Sequence, residues 1–350
     1  MSPFTHTNAS SLERLETKVQ SLRQADTYPD KPSHIDAVET HMSWVFLTDR
    51  FAYKMKKPVR YDFLDFSTLS LRQRDCEEEV RLNQRLAPDV YLGTVPLTVN
   101  SLGQARINGD GDIVEWLVEM RRLPRERMLD EVIKQKQIDE TDIRNLGKIL
   151  AEFYATSAAV ERNVDRYKAD IKQAVKLNRD LLLTPDYELP ADAIRALHDT
   201  QLQFLQQESH LLDARVELGR IIEGHGDLRP EHICLEPRPV IIDCLEFNRQ
   251  FRIIDPVDEL SFLAVECELL GAPAIGEQIL RIYEELSGDR PSRRLVLFYK
   301  IYRACLRARL AISHVKELEK HDWPKWQSRA GDYLRLAETH RVQLQNDLPG

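Results

Sequence analysis

Residues 223–248 read EGHGDLRPEHICLEPRPVIIDCLEFN and hold two aspartates that core packing does not ask for. Asp227 follows Gly226 in a short polar turn, and Asp243 closes the apolar run 239–242. A carboxylate at the end of an apolar strand loses hydration that a cation, a metal or several donors must replace. No lysine lies near Asp243 in sequence, so a hard cation such as Mg²⁺ is its natural partner. Magnesium needs only one or two protein oxygens and completes its sphere with phosphate oxygens and water. Asp227 stands where the backbone turns tightly and a side chain can reach an incoming hydroxyl. Phosphoryl transfer requires such parts: one acid to position the nucleophile, one to hold magnesium, and a lysine for the donor phosphates.

The elements that must position these groups follow from periodicity. Residues 11–25 carry amphipathic helical spacing, with Ser10 or Ser11 as the N-cap. The apolar runs 44–47 and 51–55, separated by Thr48, Asp49 and Arg50, predict two strands and a tight turn, ended by Pro58. A helix is predicted across 68–87, stopped by Pro88. Strands follow in 91–99, 103–109 and 112–120, with Gly109-Asp110-Gly111 marking a hairpin turn. After residue 128 the character changes to helical periodicity over 129–183 and 191–220, separated by the loop 184–190. Two short strands, 233–235 and 240–242, interrupt the helices, which resume from Pro256. The expectation is an α+β fold of two lobes: residues 1–120 form a small β-rich lobe behind an N-terminal helix, and residues 121–350 form a larger, mostly helical one.

Composition narrows the class. The 350 residues are 42% hydrophobic and 30% charged, enough for two sizeable cores. A net charge of −8 argues against a broad nucleic-acid-binding face. No run approaches the roughly 20 apolar residues of a membrane span, and the first residues lack the pattern of a signal peptide. Five cysteines without a CxxC pair suggest reduced thiols, so a cytoplasmic location is expected.

The block HGDLRPEHI followed by IIDCLEF resembles the catalytic loop and metal-binding strand of the aminoglycoside phosphotransferase and choline kinase-like family. Its members share a two-lobed protein-kinase-like fold. The later DPVDEL, residues 255–260, echoes a family element in which Glu259 replaces the commoner aspartate. The resemblance implies a kinase, a phosphotransferase with an alcohol group as acceptor. It uses ATP or GTP with Mg²⁺, and its partners are the nucleoside triphosphate and a small hydroxylated substrate, with neither nucleic acid nor membrane. Asp227 then corresponds to the catalytic base and Asp243 to the magnesium ligand. His232 occupies the position of an asparagine that helps bind the metal, although imidazole suits softer ions. Glu246 offers a further oxygen.

On the donor side, FAYK resembles the strand ending in the lysine that grips phosphates. Alternation puts Ala52, Lys54 and Lys56 on one face, so Lys56 competes with Lys54. Glu79 shares a helix face with Leu82 and Leu86 and is the expected partner, with Glu78 its rival. Residues 117–124 correspond to the inter-lobe hinge, where backbone groups near Glu119 and Met120 would meet adenine. The glycine-rich phosphate loop of protein kinases is missing from residues 40–51.

Other readings compete. His225 reads as a brace for its turn. Glu266 and Glu268 read either as an acidic patch for a cationic acceptor or as ordinary helix-surface acids. Cys244 and Cys267 read as small core residues. The departures at His232 and in the phosphate loop support a catalytically impaired pseudokinase that binds nucleotide or a partner. A metal-dependent hydrolase would need His225, Asp227, His232 and Asp243 on one ion.

Overall fold

The computed structural model describes residues 9–61 and 63–347. The chain forms two compact units. One runs to Arg127 and includes Val240–Gln250; the other takes Met128–Pro239 and the chain from Phe251 onward. The division expected near residues 118–123 left 240–250 in the second lobe. Side chains explain its grouping with the first unit: Asn83 Oδ1 accepts from the Cys244 amide at 2.8 Å, and the Tyr91 hydroxyl accepts from the Asp243 amide at 3.1 Å.

The first unit opens with helix α1 (Ala9–Leu22), so Ser10 and Ser11 fall within the helix and not at its cap. Strands β1 (Asp36–Glu39), β2 (Ser43–Leu47) and β3 (Phe51–Lys56) follow, then the short β4 (Arg60–Tyr61) and β5 (Leu64–Asp65). Helix α2 (Leu69–Asn83) is capped by Thr68, whose side chain accepts from the Leu71 amide. It ends at Asn83, earlier than the proline-based expectation, because the ladder gives way to i→i−3 bonds, from the Arg85 amide to the Leu82 carbonyl and from the Leu86 amide to the Asn83 carbonyl. Strands β6 (Tyr91–Val99), β7 (Ala105–Ile107) and β8 (Asp112–Arg121) complete an antiparallel sheet ordered β1-β2-β3-β8-β6-β7.

That order corrects the hairpin expected at Gly109–Gly111. Strands β7 and β8 do not pair with each other; both pair with β6, whose Val99 lies opposite Ala105 and Asp112. Gly111 serves close approach, since a Cβ there would stand 2.2 Å from the Val99 carbonyl oxygen.

Alternation along β3 sorts its side chains. Tyr53 and Met55 join Val19, Leu22, Phe46 and Leu117 in the core beneath the sheet. Ala52, Lys54 and Lys56 take the opposite face, where α2 supplies carboxylates.

The second unit is helical: α3 (Leu129–Lys134), α4 (Glu140–Thr156), α5 (Val164–Leu182), α6 (Ala191–Gln207) and α7 (His210–Glu217) precede the strand pieces β9 (Ile222–Glu223) and β10 (Ile233–Cys234). The strand piece β11 (Val240–Ile241) belongs to the first unit's segment. Then come β12 (Ile253–Ile254), α8 (Pro256–Leu269), α9 (Pro273–Ser287), α10 (Arg293–Ser313) and α11 (Trp323–Asn346). Helix α8 is almost wholly buried among its neighbours. Asp255 caps it by accepting from the Val257 amide at 2.9 Å and binds Arg215 through both oxygens at 2.8 Å. Arg215 also bonds to Asp289, so two buried acids share one guanidinium. Antiparallel pairing of β9 with β12 delivers the chain into the turn that begins at Gly224. Among the described residues no helix is long and apolar enough to cross a membrane.

Candidate active site

In the first unit the structure brings Lys54, Glu79 and Asp243 together. Lys54 Nζ donates to Glu79 Oε1 at 2.8 Å and to Asp243 Oδ1 at 2.7 Å. Glu79 is the inward member of its acidic run, while Glu78 turns outward to Arg81. Burial works against the charge on Lys54, but Asp243, Glu79 and Glu246 outweigh it and hold its pKa well above the ordinary lysine value. Asp243 has a left-handed backbone, φ 62°, and a side chain 42% exposed. A non-glycine residue held there stores strain that its surroundings must sustain, and such residues gather at functional sites.

Lys56 is not merely the rival of Lys54; it is a second buried cation. Its Nζ bonds to Glu79 Oε2 at 2.7 Å and to Glu246 Oε1 at 2.5 Å. Asp75 Oδ2 lies 2.7 Å away without hydrogen-bond geometry. Burial pushes the Asp75 carboxyl up, against the pull of Lys56. Glu246, the further oxygen named in the sequence, is engaged by Lys56. The pattern was findable: Asp75 and Glu79 are one helical turn apart, facing two lysines two residues apart on a strand.

In the second unit the turn around Asp227 is held from below by Glu259. Its carboxylate accepts from the His225 amide at 3.0 Å, the Gly226 amide at 2.6 Å and the Tyr154 hydroxyl at 3.0 Å. Burial pushes the Glu259 carboxyl up, and the Gly226 and His225 N–H groups pull it partly back. A Cβ at Gly224 would meet Ile254 and Glu259 at 2.7–2.8 Å, so only glycine lets the carboxylate so near the turn. His225 is buried, and its Nδ1 accepts from the Asp227 amide at 3.3 Å. Sequence reasoning noticed Glu259 only as a departure and missed Tyr154, whose helix gives no local sign of its partner.

Asp227 Oδ2 bonds to Arg229 at 3.0 Å. His232 is also engaged: Nδ1 meets the Asp227 carbonyl at 2.9 Å and Nε2 meets Arg229 Nη2 at 3.0 Å. To ligate a metal the ring would have to give up one of these contacts. Among the described residues no group of three or more His, Cys, Asp or Glu side chains is arranged around an ion.

Glu119 and Met120 lie within β8, which pairs with β3 on one side and β6 on the other. They sit at the end of the strand, where its register with β6 shifts between Tyr91 and Gly93. The Glu119 carboxylate accepts from the Tyr53 hydroxyl at 2.9 Å. Glu266 and Glu268 are committed too: Glu266 to Arg307 and Tyr333, Glu268 to Lys300 and His340.

Comparison with known proteins places this architecture. A choline/ethanolamine kinase family protein from Mesorhizobium loti superposes with a TM-score of 0.53 at 14% identity, covering 95% of this chain and all of that one. A choline kinase from Cryptosporidium parvum gives 0.50 at 10% identity, covering 94% of each chain. At such identities the likeness concerns fold, and the fold is that of the protein-kinase-like phosphotransferases. The profile of the phosphotransferase enzyme family matches residues 63–295, and the chain belongs to that family. Uncharacterised proteins of Mycobacterium tuberculosis and Mycobacterium bovis are 33% identical over 291 residues, 81% of this chain. The chain spans about half their length, 56%.

Proposed function

We propose that this chain transfers the terminal phosphoryl group of ATP or GTP to a hydroxyl of a small molecule, assisted by Mg²⁺. The observation that carries this reading is Lys54, one ammonium bonded at once to Glu79 and to Asp243. A lysine that grips donor phosphates must be fixed by a carboxylate and stand beside the metal-binding acid. Lys54 is fixed by Glu79 and stands beside Asp243, which supports the reading. Asp243 also suits a divalent cation, because its carboxylate reaches solvent and Mg²⁺ needs only one or two protein oxygens.

Bound beside Asp243, magnesium would offset the charge on the transferring phosphoryl oxygens. Asp243 is the residue to hold it, and Lys54 the one to bind the donor phosphates. Asp227 accepts the proton of the attacking hydroxyl. The new oxygen–phosphorus bond forms as the bond to the bridging oxygen breaks, and the nucleoside diphosphate leaves. Glu259 and Tyr154 keep the turn in place so that Asp227 is oriented before the substrate arrives. We assign recognition of the base to the segment following β8. Five cysteines without a disulfide suit a reducing cytoplasm.

The test is thermal unfolding with Mg·ATP, Mg·GTP, each nucleotide without metal, and Mn²⁺, on wild type and Asp243→Asn. Ligand at a hundredfold over its Kd stabilises by about 2.7 kcal/mol. A metal-dependent shift that disappears in Asp243→Asn is expected. No shift with any nucleotide would overturn the reading. A shift without transfer to any acceptor would make the chain a nucleotide-binding pseudokinase.

A further inference from the structure

Asp243 keeps a left-handed backbone, φ 62°, although the wide basins for an L-residue are the extended and right-handed ones. Two buried side chains of the first unit meet that backbone. The Tyr91 hydroxyl accepts from the Asp243 amide at 3.1 Å, and Asn83 Oδ1 accepts from the Cys244 amide at 2.8 Å. These amides belong to the two peptide planes on either side of the Asp243 Cα, and the angle between those planes is what φ and ψ describe. We infer that Tyr91 and Asn83 are positioning residues that hold Asp243 in this conformation and so set the affinity of the site for Mg²⁺. This rests on Asp243 being the metal-binding acid of the proposed reaction. With both planes held, the chain cannot return to the extended basin without breaking a bond, and the carboxylate stays 2.7 Å from Lys54 Nζ. An acid already in place loses little freedom when the cation arrives.

Tyr91 reaches its amide because β6 is interrupted. Strict alternation would put Tyr91 on the face of Val95 and Leu97, which belong to the core beneath the sheet. Val95 lies opposite Leu117 and Gly93 opposite Glu119, but Tyr91 lies opposite Met120, so Leu92 is an extra residue. Met120 is paired on its other side with Ala52, on the Lys54 face of β3. The one-residue shift thus carries the tyrosine ring out of the core and onto the face where Lys54 meets Asp243. Gly93, at φ 155°, takes a backbone that side chains rarely adopt and completes the shift. Asn83 is aimed by its own helix. Its Nδ2 donates to the Glu79 carbonyl one turn back at 2.9 Å, which turns Oδ1 toward the Cys244 amide. One turn of α2 therefore fixes Lys54 through Glu79 and the peptide after Asp243 through Asn83.

The test follows the metal and the backbone separately in the full chain. Melting temperature is measured against Mg²⁺ concentration at fixed ATP, and with ATP and EDTA, for wild type, Tyr91→Phe, Asn83→Leu and Gln84→Ala. Gln84 donates to the Tyr91 carbonyl at 2.9 Å, so its removal loosens the same place without touching either amide. Amide exchange within 240–250 is followed in the metal-free proteins by mass spectrometry. In Tyr91→Phe the Mg²⁺ midpoint should rise about tenfold, the scale of one hydrogen bond. Exchange within 240–250 should quicken, and the response to ATP with EDTA should match wild type. Asn83→Leu should behave alike, and if it does not fold, Tyr91→Phe decides. Gln84→Ala should keep the wild-type midpoint. The inference is overturned if Tyr91→Phe keeps either the wild-type midpoint or the wild-type exchange. It is also overturned if Gln84→Ala raises the midpoint as far, which would show general loosening of the strand. Failure of the phosphotransferase reading shows separately, as absence of the Mg·ATP shift in wild type.

Discussion

Lys56 Nζ lies 2.7 Å from Glu79 Oε2, and neither side chain reaches solvent. Glu79 gives its other oxygen to Lys54 at 2.8 Å. One carboxylate thus spans two lysines on the same strand face, and the position of Lys54 depends on a cation that never needs to touch a substrate. Lys56 also holds Glu246, three residues beyond Asp243, so strand, helix and the Asp243 segment meet at one ammonium.

Lys56→Met should take from Glu79 and Glu246 the ammonium they share, leaving Glu79 to Lys54 alone. Removing one partner of a buried ion pair costs about 3–5 kcal/mol, and urea unfolding of the variant would measure it. Adding Glu246→Gln should restore part of the loss, because one stranded charge is removed. Unchanged stability in Lys56→Met would show that the cluster is not held by this charge.

Asp227 and Asp243 should separate kinetically. Asp227→Asn is expected to lower kcat about 10²–10⁴-fold, the range of a lost general base, while the Mg·ATP stabilisation persists. Asp243→Asn should lose that stabilisation itself. Wild-type turnover by Asp227→Asn would remove it from the role of base.

Glu268 makes a pH-dependent contribution to stability. Burial disfavours its charge, but His340 and Lys300 outweigh burial and hold its pKa below the ordinary glutamate value of 4.5. A depressed carboxyl stabilises the fold above its unfolded value and loses that contribution as pH falls through the folded one. Glu268→Gln should therefore melt lower than wild type at neutral pH, and the gap should close as pH drops below 4.5. A gap constant down to the acid limit would contradict the assignment.

None of the five cysteines forms a disulfide, and all are buried. Burial pushes the thiols of Cys76, Cys267 and Cys305 above their ordinary value, disfavouring the reactive thiolate. A thiol reagent should label the native protein slowly and all five sites after denaturation. Rapid native labelling would reveal a thiol that the fold exposes on opening.

Much of this protein was legible along the chain because the signals are local. Period-two alternation put Lys54 and Lys56 on one face of β3, helical spacing turned Glu79 inward, and the motif block named Asp227 and Asp243. What tertiary structure decided was which of these groups meet. Glu246 could offer an oxygen to a metal or a lysine, and only the grouping of 240–250 with the first unit gave it to Lys56. The strand order placed β8, with Glu119 and Met120, between β3 and β6. Glu259 met Tyr154 from another helix, and Arg307 and Arg329 came from the end of the chain to one tyrosine ring. Each outcome turns on contacts between distant residues. Side-chain periodicity dictates which way a group faces, whereas strand pairing and helix packing choose what stands opposite it.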